Sequence, residues 1–242
     1  MEQKRRVLIT GASKGIGRAA LRKLHDEGYC VVGIARSRPT DLLPGETFYQ
    51  CDLSDIDATK ILITQLAAES PFYGIVNNVA KIHTTTLEDC EPDELYEAAR
   101  VNLAVALICT KALLPGMKEL GVGRIVNISS RASLGKEKRI SYSATKGGLI
   151  SMGRSWALEL AAYNITVNAI APGPIETESF RVSNPAGAEA TIALKNAVPV
   201  GRTGTPEEIA HAISYLLHEL SGFITGQTLH IDGGLSISTV KI

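Results

Sequence analysis

The sequence predicts a doubly wound α/β domain, with a mostly parallel sheet and helices on both faces. Three observations carry that expectation. Short apolar runs rich in Val, Ile and Leu alternate with longer stretches of helical period, as expected of strands buried on both faces and joined by crossover helices. The first run passes straight into a glycine-rich turn and then a helix, through Thr10-Gly11-Ala12-Ser13-Lys14-Gly15-Ile16-Gly17. Third, 242 residues with 45% hydrophobic content suit one sizeable core, and no repeat or linker divides it, so a single domain is expected over 1–242.

In order along the chain, Lys4–Thr10 reads as a strand, followed by a helix through Ala19, Ala20, Leu21 and Leu24 that ends at Gly28. Strand, glycine turn and helix together make a phosphate-binding reading of the glycines, of Rossmann type, with spacing G-x-x-x-G-x-G. Gly11 makes the tight turn, Gly15 lets backbone approach a pyrophosphate, and Gly17 permits close helix–strand packing. A second strand, Tyr29–Ala35, ends in Arg36-Ser37-Arg38. An acidic residue there would hold a ribose 2′-hydroxyl, whereas Arg36, helped by Lys14, suits a 2′-phosphate and so favours NADP(H).

Thr47–Cys51 is a third strand, closing in Asp52-Leu53, and Ser54 is a candidate cap, with Asp57 at N3, for a helix over Asp55–Glu69. Phe72–Asn77 is a fourth, running into Asn78-Val79-Ala80; Lys81–Glu91 reads as loop, and Val101–Leu120 as a long helix. Asn102 sits near the start of that helix, where Asn is a poor choice unless it is kept for chemistry or for pairing with backbone. Asn164–Ala169 is a sixth strand, leading to Pro172-Gly173-Pro174-Ile175-Glu176-Thr177. Glu178–Val200 is the least patterned section and reads as a lid over a site. Thr205-Pro206-Glu207-Glu208 carries a capping box with proline at N1, and Gln227–Ile231 is the last strand.

The fifth strand, Arg124–Ser129, is where chemistry concentrates. It ends in the hydroxyls of Ser129 and Ser130, and the following helix begins near Ser141, with Tyr142 and Lys146 four apart on one face. A strand-end serine, a phenol and an ammonium at the carboxyl edge of a sheet can bind and protonate a carbonyl oxygen. At ~4 Å and an effective dielectric of ~20, the Lys146 charge is worth roughly 4 kcal/mol to a phenolate. That is enough to lower a phenol from ~10 by about three units, towards the pH at which a general acid works best.

Charge and cysteines narrow the class. With 25 basic and 25 acidic residues the chain is neutral, which argues against nucleic-acid and membrane-surface binding. No signal-type segment and no apolar run of transmembrane length is expected. Cys30, Cys51, Cys90 and Cys109 are scattered, so free thiols in a reducing cytoplasm are expected, with Cys30 and Cys109 buried. The histidines show no metal-ligand spacing.

With these residues in view, the chain resembles the short-chain dehydrogenase/reductase family in its compact form, nearest the 3-oxoacyl-thioester reductases. The resemblance rests on the glycine turn, Asn77-Asn78, Asn102, Ser129-Ser130, Tyr142-x-x-x-Lys146 and Pro172-Gly173, which fall in family order over nearly the whole chain. It implies that Ser130 bonds the substrate oxygen, Tyr142 exchanges its proton, and Lys146 binds the nicotinamide ribose and lowers the Tyr142 pKa. It also implies a water relay supported by Asn102, an adenine beside Asp52 and Leu53, an adenosine ribose beside Asn78 and Ala80, and a carboxamide held by Ile175 and Thr177. Three departures stand out: Val79-Ala80 replaces the usual Ala-Gly, the serine lies twelve residues before the tyrosine where thirteen is usual, and the loop between them is basic. Counting back from Tyr142 points to Ser129. Matching along the strand points to Ser130, which is preferred because a one-residue slip would reverse every side chain of a buried strand.

The leading expectation is an NADPH-dependent carbonyl reductase; an alcohol, polyol or dihydrodiol dehydrogenase is the alternative, since the same residues serve both directions. An epimerase would need a longer C-terminal domain, and a non-catalytic NADP(H) sensor would lack the catalytic groups. Arg131, Lys136, Lys138 and Arg139 suggest steering of an anionic carrier, such as acyl carrier protein or coenzyme A. Apolar residues on more than one face of the helices Val101–Leu120 and Ser141–Ala162 (Val105, Leu107, Ile108, Leu113, Leu114; Met152, Trp156, Leu158) predict a homotetramer.

Overall fold

A computed structural model describes residues 5–238. Seven strands form one parallel sheet in the order β3-β2-β1-β4-β5-β6-β7. They are β1 (Arg6–Thr10), β2 (Cys30–Ala35), β3 (Thr47–Gln50), β4 (Gly74–Asn77), β5 (Gly123–Ile128), β6 (Ile165–Pro172) and β7 (Thr228–Ile231). Each strand expected from the sequence is thus present to within a few residues at its ends; Lys4 lies outside the described residues. β1, β4, β5 and β6 are buried almost throughout, as strands covered on both faces must be. The strand order reverses between β1 and β4, which opens a crevice at the carboxyl edge of the sheet.

Helices α1 (Gly15–Asp26) and α8 (Pro206–Leu217) cover one face, burying Leu21, Leu24, Ile209 and Ile213 against β1, β2 and β5. The other face is covered by α2 (Ile56–Glu69), α4 (Val105–Leu120) and α5 (Ile140–Leu160), through Ile63, Leu66, Val105, Leu113, Ala157 and Leu160. The Thr205 capping box forms as expected: its hydroxyl accepts from the Glu208 amide, and the Glu208 carboxylate accepts from the Thr205 amide. The cap of α2 falls one residue later than expected. Asp55 accepts from the amides of Asp57 and Ala58, whereas Ser54 is spent on the Asp52 carboxylate.

A helix the sequence pattern did not reveal precedes α4. α3 (Pro92–Ala99) starts with proline at its first position and Asp93 and Glu94 in its first turn. It buries only Ala98, so it has no apolar stripe to read. One π-helical turn, Arg100–Ala104, joins it to α4 and contains Asn102, which is therefore inside a continuous helical stretch rather than near its start. That stretch, Pro92–Leu120, is long and apolar enough to cross a membrane by length and composition, contrary to expectation. Its apolar line of Val105, Cys109, Leu113 and Met117 is buried in the core.

The unpatterned section holds two short helices, α6 (Glu178–Ser183) and α7 (Glu189–Ala197), which together bury only Thr191 and Ala197. The four cysteines are free; Cys109 is buried and Cys30 half-buried, and burial pushes the Cys109 thiol up to about 12.

Candidate active site

The crevice is built first by the glycine turn. Gly11 has φ +67° and Gly15 φ +54°, conformations that disfavour other residues. A Cβ on Gly17 would lie 2.2 Å from the Gly11 carbonyl oxygen, so only glycine lets α1 approach the end of β1 this closely. Lys14, the N-cap, is extended and offers no side-chain cap, and the first turn of α1 holds no acidic residue. Its amides therefore remain available to an anion, with the positive end of the helix dipole behind them. Ser13 lies half-buried in the turn, and Ile16 packs on the core. These residues fit a dinucleotide pyrophosphate.

Around the turn, Arg36 is exposed at the end of β2. Asp52 follows β3; its carboxyl is held below the ordinary value by the Ser54 amide and hydroxyl and by the Arg36 charge, while Leu53 is buried. The Asn78 side chain donates to the carbonyls of Thr10 (3.0 Å) and Gly11 (3.1 Å), while its amide donates to the Thr10 hydroxyl. Asn78 therefore locks β4 to the glycine turn, and exposed Ala80 follows.

The second half of the crevice lies at the ends of β5 and β6. Ser130 follows β5, its hydroxyl accepting from the Ala132 amide at 3.1 Å and lying near enough to the Tyr142 phenol to favour its ionised form. Ser129 points away, donating to the Lys146 carbonyl at 2.9 Å. Lys146 is buried beneath, with Nζ donating to the Ile128 carbonyl at 2.6 Å and 5.7 Å from the centre of the Tyr142 ring.

The protonation picture differs from expectation. Tyr142 is raised, not lowered: burial outweighs the opposing effects of the Ser130 hydrogen bond and the Arg139 charge. Lys146 is itself pushed down to about 8 by burial. The sequence reveals the spacing of the pair but not how far both groups are withdrawn from water, and that decides the direction.

Asn102 sits deeper than its sequence position suggested. Its side chain donates to the Lys81 carbonyl (3.0 Å) and the Thr145 hydroxyl (2.9 Å) and accepts from the Lys81 amide (2.7 Å). It braces the segment after β4 against α5, with no direct bond to Lys146. Thr145, which donates back to the Ser141 and Tyr142 carbonyls, escaped the sequence reading because a threonine inside a helix carries no signal of its own.

Pro172 closes β6. Ile175 is buried and bridged to Gly204, and Thr177 caps α6 and stands over the glycine turn, where a Cβ on Gly15 would meet its methyl group at 3.1 Å. Between them Glu176 accepts from Thr203 and pairs with Arg181 of α6 (2.5 Å) and Lys195 of α7 (3.8 Å). One carboxylate thus ties both short helices to the crevice wall, and its link to Lys195 joins residues too far apart in sequence to be read there.

Comparison with known proteins matches this geometry. A family model described as enoyl-(acyl carrier protein) reductase covers residues 11–236. The 3-oxoacyl-[acyl-carrier-protein] reductase FabG of Vibrio harveyi is 34% identical over 236 residues, covering 94% of this chain and 96% of the relative. The chain belongs to the short-chain dehydrogenase/reductase family. The acetoacetyl-CoA reductase of Rhizobium meliloti, another relative, is 35% identical over 94% of this chain and 96% of its own. Among solved structures, ElxO with NADP bound superposes with a TM-score of 0.90 at 29% identity, over 98% of this chain and all of that one. As a short-chain dehydrogenase/reductase, the protein is an NAD(P)(H)-dependent oxidoreductase of the type to which these reductases belong.

Proposed function

We propose that the protein is an NADPH-dependent carbonyl reductase acting on a 3-oxoacyl thioester. The observation that carries this reading is the convergence of the Ser130 hydroxyl and the Tyr142 phenol at the carboxyl edge of the sheet, with the Lys146 ammonium 5.7 Å from the Tyr142 ring. A bound reduced nicotinamide supplies the hydride. Ser130 and Tyr142 hold the carbonyl oxygen between two donors. Burial keeps Tyr142 a neutral phenol, ready to give that oxygen its proton as charge develops there. Lys146 then faces the phenolate left behind, and Asn102 supports the wall next to which its proton is restored. In the reverse direction Tyr142 would have to start as phenolate, so its raised pKa predicts that oxidation of the alcohol runs best at higher pH than reduction of the ketone.

Arg36 at the end of β2 and Lys14 in the glycine turn favour the 2′-phosphate, and ElxO, the structural neighbour named above, holds NADP. Asp52 and Leu53 flank the adenine, Asn78 and Ala80 the ribose, and Ile175 and Thr177 the carboxamide. The thioester reading draws on the relatives from Vibrio and Rhizobium and on the basic loop beside Ser130 and Tyr142. Helices α6 and α7, tethered through Glu176, form the lid over the substrate. A cytoplasmic homotetramer completes the proposal.

Steady-state assays with acetoacetyl-CoA test it. Wild type should prefer NADPH to NADH by about tenfold or more, because two charge-assisted contacts contribute ~1.5–3 kcal/mol each, and Arg36→Asp should reverse the preference. Tyr142→Phe should lose ~10²–10⁴ in turnover while binding NADPH as before, and Ser130→Ala should cost far more than Ser129→Ala. Wild-type turnover in Tyr142→Phe, or a larger loss from Ser129→Ala, would show that the chemistry is elsewhere.

A further inference from the structure

Residues 36–46 connect β2 to β3 without regular structure, and the two halves of this loop are held very differently. Residues 36–38 are exposed. The second half is bound to α1 by a built network. The Arg18 guanidinium donates to the Asp41 carboxylate (Nε, 3.0 Å), the Asp41 carbonyl (2.7 Å) and the Glu46 carboxylate (2.9 Å). Arg22 adds a second pair to Asp41 at 2.9 Å, the other Glu46 oxygen accepts from the Leu43 amide at 2.8 Å, and His25 Nε2 lies 3.1 Å from the Pro44 carbonyl. The Arg18 and Glu46 side chains are 10% and 0% exposed, so this pair is enclosed by protein rather than lying on the surface.

Two features connect the network to the cofactor. Arg18 directly follows Gly17, whose contact with the Gly11 carbonyl sets the glycine turn, so the base of the guanidinium is fixed by the same turn that receives the pyrophosphate. The network is also electrically closed: Arg18 and Arg22 balance Asp41 and Glu46, so Arg36, whose charge acts on Asp52, and Arg38 stand outside it.

We propose that Arg18 is a specificity-positioning residue: through Asp41 and Glu46 it holds the β2–β3 loop in the arch that presents Arg36 to the cofactor 2′-phosphate. The inference rests on the NADPH reading above. Without Arg18, Glu46 is a buried carboxylate lacking its cation, which strongly disfavours the present loop position. As the loop moves to hydrate Glu46, Arg36 moves with it, and Asp41 keeps only its pair with Arg22. A ligand without a 2′-phosphate makes no use of Arg36 and should not sense the change. An Arg18 that merely staples the loop to α1 would instead affect both cofactors equally.

Calorimetric binding of NADP⁺ and NAD⁺ to wild type, Arg18→Met, Arg18→Lys and Arg36→Ala separates these cases. Arg18→Met should bring the NADP⁺/NAD⁺ affinity ratio down about tenfold, entirely through weaker NADP⁺ binding, as loss of one positioned charge contact predicts. Arg18→Lys keeps the charge but not the planar fork and should fall between. If Arg18→Met does not fold, Asp41→Asn keeps the Arg18–Glu46 pair while loosening the loop, and it should still lower the ratio. A ratio unchanged in the folded Arg18 variant, or in Asp41→Asn, overturns the inference, as does an equal loss for both cofactors. If wild type shows no NADP⁺ preference, or Arg36→Ala keeps it, the cofactor reading itself has failed and takes this inference with it. If Arg36→Ala abolishes the preference and Arg18→Met does not, only the role of Arg18 is refuted.

Discussion

At the scale of single residues, Lys146 shows how function and stability pull apart. It is 1% exposed and held at about 8 by burial, against 10.5 for a free lysine. Below pH 8 the folded protein therefore buries a charge that the unfolded chain keeps in water. The destabilisation is complete below the folded pKa and disappears as pH rises from 8 towards 10.5, where the unfolded chain binds more protons than the folded one. At 1.36 kcal/mol per unit this is roughly 3 kcal/mol. Lys146→Met should thus be inactive yet more stable than wild type in denaturant melts at pH 7, with the advantage shrinking by pH 10. An equal difference at both pH values would mean that burial of the charge is not what strains the fold. Tyr142 is perturbed for the same reason, so both residues are tuned by their shared enclosure.

At the scale of elements, the basic loop between Ser130 and Tyr142 contains two kinds of cation. Arg139 is engaged, donating to the Thr84 hydroxyl, and Thr85 bridges to the same segment through the Lys138 carbonyl. Lys136 and Lys138 are exposed, the latter with its backbone at φ +57°. Exposed charges steer by long-range attraction, which fades as the screening length falls from ~30 Å at 0.01 M salt to ~8 Å at 0.15 M. The kcat/KM for an acetoacetyl thioester should therefore fall with salt while that for an uncharged ketone stays nearly level, and replacing Lys136 and Lys138 by serine should remove the difference. Parallel salt curves for the two substrates would show that the loop does not select an anionic carrier. Arg139 is left out of that test because its bonds to the segment after β4 make it part of the wall.

At the scale of the whole molecule, part of the apolar surplus on α4 and α5 is absorbed by the sheet, with Val105 and Leu113 in the core. Leu107 (45% exposed) and Leu158 (85%) remain outside. A second apolar group, Leu220, Phe223 and Leu229, lies on and just before β7, with Phe223 wholly exposed. The proposed tetramer needs two self-complementary interfaces, which together would generate two-fold symmetry, and these two exposed groups are the candidates for them. In sedimentation at micromolar concentration, wild type should be a tetramer, Leu158→Glu and Phe223→Glu should each give dimers, and the double variant monomers. A wild-type monomer would refute this.

By itself the sequence determined the alternation of buried strands and crossover helices, the glycine turn and the Tyr142–Lys146 spacing, because each is a local pattern with a period of a few residues. It left α3 unseen, since a helix that buries only Ala98 has no apolar period, and it misplaced the cap of α2 by one residue because Ser54 and Asp55 are chemically equivalent caps until Asp52 claims one of them. Spacing alone left Ser129 and Ser130 open. Tertiary structure turned one towards the Lys146 carbonyl and the other towards Tyr142, because adjacent residues at a strand end point in opposite directions and α5 packs on only one side. Only tertiary structure decided the direction of the Tyr142 shift, the Glu176 tether and the Arg18 network. Each depends on how much water is excluded and on which charges distant segments bring together, and neither quantity has a period along the chain.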